Sequence, residues 1–273
     1  RNPELGDVAG VFSSRGPNIP YAGVLTPDIA APGVDIHAAY AQDKPFSEDA
    51  QSISYAPLSG TSMASPHVAG ALALIKAIHP NWTPSQAQSA IMSTAHRMTF
   101  KDDDFDGVKE RSTFFDQGSG SLRVNNAVNA GLLLHIDKQA YLDADPELDG
   151  APKDLNSSSI VLDDCISQCT WTREIEATTD GTWSASYDYV TPGFELSVNP
   201  SSFSLQKGQK QTLTFSAAAN AELASEWTHG YVMLNASSEA ISDTHFQVAT
   251  RFKAGRIASE VTATLNNVDN KII

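Results

Sequence analysis

The chain has 273 residues, 32 of them acidic and 18 basic, for a formal net charge of -14. That balance argues against a nucleic-acid partner, whose phosphates favour a basic surface, and suits a soluble protein exposed to cations or salt. No apolar run reaches the length of a membrane span, so a membrane partner is not expected either. The length leaves room for two domains, and 41% hydrophobic residues suffice for a packed core.

Taken in order, Val8–Phe12 reads as a short apolar strand, followed by the turn cluster Ser13-Ser14-Arg15-Gly16-Pro17-Asn18. Leu25-Thr26-Pro27-Asp28-Ile29-Ala30-Ala31-Pro32-Gly33-Val34-Asp35-Ile36 is a second turn-strand unit. Residues 40–57 are polar and irregular, the pattern of a surface loop. Then Leu58-Ser59-Gly60-Thr61-Ser62-Met63-Ala64-Ser65-Pro66-His67-Val68-Ala69-Gly70 leads from a tight turn into a helix that stops at His79-Pro80. Its residues are apolar on nearly every face, which predicts burial in a larger core. Ser62 stands at the helix mouth, where unpaired N–H groups and the positive end of the dipole point outward. Such donors stabilise an oxyanion as it forms. Pro66 has no N–H to give the Ser62 carbonyl, which leaves the first turn open. An N-cap serine on a core helix is the plainer reading of the same residue.

A second helix is predicted over 84–95, with Thr83 as N-cap, Pro84 at N1 and Gln86 as capping-box partner. A short helix follows at 124–130. Between them, Asp102, Asp104 and Asp106 with Gly107 match the first half of an EF-hand calcium loop. The closing bidentate Glu is absent, because position twelve is Thr113. A solvated acidic loop stands beside calcium as the reading there. From about residue 140 the period changes. An acidic, Pro-containing stretch at 143–150 precedes strand-like runs at Ser158–Leu162, Thr170–Ala177, Thr182–Tyr189, Phe194–Val198, Gln211–Ala217, Gly230–Asn235 and His245–Phe252. Short alternating strands at this density predict a β-sandwich. The two cysteines, Cys165 and Cys169, suit a small disulfide loop, which requires a turn between them; free thiols are the alternative.

Gly-Thr-Ser-Met-Ala-Ser-Pro-His-Val-Ala-Gly at 60–70 resembles the serine motif of the subtilisin-like proteases (subtilases). Phe-Ser-Ser-Arg-Gly-Pro-Asn at 12–18, Pro-Asp-Ile-Ala-Ala-Pro-Gly-Val at 27–34, the helix after the serine helix, and Phe115–Leu133 resemble further segments of that family. The forms at 12–18 and 27–34 are those of its plant-type and related bacterial branch, where a protease-associated domain is inserted upstream. Val198-Asn199-Pro200-Ser201-Ser202-Phe203 and Leu205-Gln206-Lys207-Gly208-Gln209 resemble the fibronectin-III-like domain that follows. The resemblance implies the C-terminal part of a three-layer α/β/α catalytic domain over 1–138, a fibronectin-III-like sandwich over 139–255, and a tail or linker over 256–273. It implies a secreted serine endopeptidase acting on proteins or peptides without a required cofactor, with Ser62 as nucleophile. It also implies that Phe12, Leu58 and Met63 line the substrate cleft.

A serine hydroxyl needs a general base, and that base an orienting acid. In subtilases the order along the chain is Asp, His, Ser, and only His37 precedes Ser62. His37 does not sit in the family's His-Gly-Thr-His signature. His67 is expected to pack, the remaining histidines to occupy surface or turn positions, and Asp28 to serve a turn or packing role. No Asn matches the side-chain donor of the family's oxyanion hole, so only the Ser62 N–H carries over. The chain therefore reads as a piece that needs the upstream part of its own catalytic domain and is inactive alone. A non-catalytic folding or interaction module is the alternative. Half of an α/β domain leaves apolar surface uncovered, which predicts self-association.

Overall fold

The computed structural model describes residues 6–41, 54–97, 99–102, 107–219, 223 and 225–253. Hairpin strands β1 (Ile36–Ala39) and β2 (Tyr55–Leu58) pair antiparallel, Ile36 opposite Leu58. Tyr55–Pro57 is thus strand where an irregular loop was expected. The stretch Val8–Phe12, expected as a strand, contributes only an isolated bridge from Val8 to Phe100. Helices α1 (Thr61–Ile78) and α2 (Pro84–Ser93) follow. The Thr83 hydroxyl accepts from the Gln86 N–H at 3.2 Å and the Gln86 side chain accepts from the Thr83 N–H at 2.9 Å, closing the capping box.

Strands β3 (Phe100–Lys101) and β4 (Glu110–Arg111) form a second antiparallel pair. They flank the acidic loop, so the helix pair of an EF-hand is replaced by strands. Asp102 follows β3; Asp104 and Asp106 lie outside the described residues. Short helices α3 (Phe114–Gln117) and α4 (Val124–Val128), strand β5 (Leu132–Leu133) and helix α5 (Lys138–Asp143) complete the first half.

Residues 159–253 form a sandwich. One sheet runs β10 (Ser202–Leu205), β8 (Gly181–Asp188), β12 (Trp227–Ala236), β13 (Thr244–Lys253), β6 (Ser159–Ile166). The other runs β5, β7 (Gln168–Ala177), β11 (Lys210–Ala219), β9 (Phe194–Asn199). Trp171, Ile175, Trp183, Leu213, Phe215, Val232 and Phe246 fill the space between them, the inward set that a period of two dictates. Leu132 and Leu134 join this core, so the sandwich draws on residues inside the first expected domain.

Ser167, at φ 61, turns the chain between β6 and β7, which belong to different sheets. Cys165 and Cys169 are bonded across this corner with their Cα atoms 5.8 Å apart. Arg173 shares the inward stripe of β7 with Trp171 and Ile175 and is 1% exposed. Its guanidinium donates to the carbonyls of Ser157 (2.7 Å), Thr172 (2.9 Å), Lys153 (2.9 Å) and Ser159 (3.3 Å). Burial lowers its pKa, but guanidinium remains charged at neutral pH. It thereby ties the segment after α5 to the sheet.

The halves meet where α3 docks on the outer face of the five-stranded sheet. Phe114 meets Tyr231 edge-on at 4.6 Å and Phe115 meets Trp227 at 4.9 Å. Arg97 and Arg111 both pair with Asp188, and Arg111 stacks on Tyr189 at 3.8 Å.

The expectation of a fully buried α1 is not met. Only Ala71 and Ile75 are buried, packed toward α2 and α4. Leu74 is 57% and Ile78 59% exposed, because among the described residues nothing covers the helix's other faces.

Candidate active site

The serine turn is built from two chain segments brought together by the β1–β2 hairpin. With Ile36 opposite Leu58, Ser59 returns to Asp35. The Asp35 N–H donates to the Ser59 hydroxyl oxygen at 2.8 Å, and that hydroxyl donates to the Asp35 carboxylate at 3.2 Å. The Gly60 N–H donates to the Gly33 carbonyl at 2.8 Å. The Gly60 carbonyl then starts the helix by accepting from Met63 N–H at 2.9 Å and Ala64 N–H at 3.3 Å. Ser62 lies exposed in the first turn, where its N–H has no intrahelical acceptor.

Leu58 and Met63, both half-buried, stand on either side of Gly60 along the chain. The Met63 sulfur lies 3.6 Å from where a Gly60 Cβ would be. The Phe12 ring folds back against Gly10 and is 51% exposed. Among the described residues no hydrogen bond or ring contact ties Phe12 to the serine turn.

Neither nearby histidine serves Ser62. His37 lies opposite Pro57 and stacks on Tyr55 at 5.7 Å. His67 is exposed rather than packed, because its Nδ1 bonds back to the Met63 carbonyl at 2.8 Å along the helix. Among the described residues no side chain hydrogen-bonds the Ser62 hydroxyl.

Two histidines expected at surface or turn positions instead lie in the interface between the halves, His245 fully buried and His229 half-buried. His229 on β12 is flanked by Phe114 at 5.1 Å and Phe115 at 5.4 Å. Burial pulls its pKa down to about 4 against the opposing charge of Asp116. His245 on β13 donates from Nε2 to the Ser119 carbonyl at 3.1 Å. Burial, aided by Arg97 and opposed by that hydrogen bond, brings its pKa to about 3. The signal in the sequence was the unbroken run Tyr231-Val232-Met233-Leu234, apolar at both parities, which marks a strand covered on both faces.

A cleft of about 830 Å³ opens beside α1, lined by Val68, Leu72, Met92 and Tyr141. Ser62 is not part of it. Among the described residues no cluster of His, Cys, Asp or Glu is arranged to hold a metal ion, and Asp104 and Asp106 are not among them. Among the described residues no helix is long and apolar enough to cross a membrane.

The site is thus a serine at the open mouth of a helix, preceded by a hairpin and followed by a docked β-sandwich. Residues 5–131 match the model of the subtilase family (peptidase S8), and residues 154–250 match that of a fibronectin type-III domain. Over residues 5–131 the chain carries the C-terminal part of a subtilase catalytic domain. Among curated proteins it is similar to the subtilisin-like protease SBT4.4 of Arabidopsis thaliana, 46% identical over 48% of this chain and 17% of that protein. It is also similar to the subtilisin-like protease SBT1.7 of the same plant, 31% identical over 83% of this chain and 36% of that protein. The chain thus matches only 17% and 36% of the length of these two relatives.

Proposed function

We propose that this chain is the serine-bearing part of a secreted serine endopeptidase, with Ser62 as nucleophile of a Ser-His-Asp triad. The observation that carries this reading is the serine turn itself. Ser62 is exposed at the mouth of an 18-residue helix, with an unpaired N–H and a turn fixed by Gly33 and Asp35. That N–H supplies one donor to the oxyanion of the tetrahedral intermediate. The hydroxyl adds to a peptide carbonyl and passes its proton to a histidine. The amine leaves with that proton, and water hydrolyses the acyl-enzyme. The chemistry requires no cofactor.

The base and its orienting aspartate come from the upstream part of the same catalytic domain, outside this chain. The exposed faces of α1 and the cleft beside it are the surfaces that part would cover. Leu58 and Met63 flank the substrate cleft, with Phe12 the weaker candidate. Secretion is supported by the Cys165–Cys169 bond, since disulfides persist in oxidising compartments. A calcium ion at Asp102, Asp104 and Asp106 is the accompanying proposal for the acidic loop; calcium-dependent thermal stability that Asp104→Asn abolishes tests it.

For the isolated chain, the absence of a base beside Ser62 among the described residues favours a second reading, a non-catalytic module. A fluorophosphonate probe separates the two. It is expected to label Ser62 in the full-length protein and to leave the isolated chain unlabelled. Labelling of the chain alone would overturn the division of the triad.

A further inference from the structure

The sandwich reaches the serine turn through one continuous run of backbone. His245 Nε2 donates to the Ser119 carbonyl at 3.1 Å. The Ser119 N–H donates to the Asp28 carbonyl at 2.9 Å. The next links are Ala30 N–H to the Gly120 carbonyl and Leu122 N–H to the Ala30 carbonyl, both 2.8 Å. There is no slack in this zipper. A Cβ on Gly118 would lie 2.2 Å from the Pro27 carbonyl oxygen, and one on Gly120 would lie 2.4 Å from that of His96. Gly118 and Gly120 also hold φ of 61 and 124, which side-chain-bearing residues rarely adopt. Three residues beyond Ala30, after the ring-restrained Pro32, Gly33 accepts the N–H of Gly60, two residues before Ser62.

A parallel tie flanks the path. Gln117, fully buried, donates to the Tyr231 hydroxyl at 3.3 Å and accepts from the Thr99 hydroxyl. Both ties join α3 and the Gly118–Leu122 segment to the sheet formed by β12 and β13.

We infer that His245 is a positioning residue for Ser62. Through Ser119 and the Asp28–Gly33 segment, the sandwich sets where the serine turn sits. The inference rests on the reading of Ser62 as nucleophile. A displacement of about 1 Å in a reacting group can cost about a hundredfold in rate, so a buttress outside the site has leverage on catalysis.

The test uses the full-length protein with His245→Leu, which removes the donor, and His245→Gln, which keeps one. His245→Phe serves where the leucine variant does not fold. The readouts are the rate of Ser62 labelling by a fluorophosphonate and the kcat and KM for a peptide substrate. All are taken at a temperature where circular dichroism shows each variant folded. Phe252→Leu, in the sandwich core and off the path, is the control for lost stability. The expected result is a roughly tenfold fall in labelling rate and kcat for His245→Leu at unchanged KM. Most of that loss is recovered in His245→Gln, and Phe252→Leu labels at the wild-type rate. Wild-type labelling by His245→Leu, absence of recovery by glutamine, or equal slowing by Phe252→Leu would each overturn it. A wild-type protein that does not label at all refutes the nucleophile assignment itself, a separate outcome.

Discussion

Gly33 and Gly60 touch backbone to backbone. The Gly60 N–H donates to the Gly33 carbonyl at 2.8 Å, and a Cβ on Gly33 would come within 2.8 Å of the Gly60 carbonyl oxygen and 3.2 Å of the Ala64 Cβ. A methyl there must displace the start of α1. Gly33→Ala is expected to cost about 1–3 kcal/mol of stability, the usual range for overpacking. In the full-length protein it should slow Ser62 labelling as well. Urea midpoints and labelling rates check the two parts.

Arg173 is held by four carbonyls rather than by a carboxylate. Arg173→Met keeps most of the apolar stem and leaves those acceptors without their donor. A loss of roughly 2–4 kcal/mol in chemical denaturation is expected. Arg173→Lys should recover only part, since one ammonium cannot reach all four.

His229 and His245 set the acid limit of the interface. Their folded pKa values, about 4 and about 3, lie below the ordinary 6.5. The fold favours the neutral rings, so their contribution is whole above pH 6.5. It is lost as the pH falls from there through 4 toward 3. For His229 alone the full loss is roughly 3 kcal/mol, at 1.36 kcal/mol per pKa unit. The thermal midpoint should fall steeply below pH 6. His229→Phe should flatten that slope, because it removes a titrating group whose Nδ1 has no hydrogen-bond partner among the described residues.

The exposed apolar face of α1 makes opposite demands in two settings. In the isolated chain, replacing Leu74 and Ile78 with Ser should raise the monomer fraction seen by light scattering at matched concentration. In the full-length protein the same pair should lower the thermal midpoint. Unchanged behaviour in both would mean that the face carries no partner.

The sandwich was legible because several of its strands, β7, β8 and β11 among them, alternate. Trp171, Ile175 and Trp183 announce their inward face by parity alone. The same parity places Arg173 inside, although nothing in the sequence names the carbonyls that receive it. Strands β5 and β10 went unread, because two and four residues are too short to show a period. The serine turn was readable as a motif, and its Thr83 cap as local chemistry. The exposure of α1 was not readable, since composition tells that a face is apolar but not what lies against it. The apolar run 231–234 tells that β12 is covered on both faces, but not that Phe114 and Ser119, over a hundred residues away, are what meet His229 and His245.

Strand β5 carries one more consequence. It begins just past the subtilase match, which ends at residue 131, and it is the edge strand of the four-stranded sheet and gives Leu132 to the sandwich core. A sandwich cut out at residue 139 would lose its border strand and part of its filling. Swapping this module between relatives therefore has to respect a junction near residue 130, ahead of the visible linker.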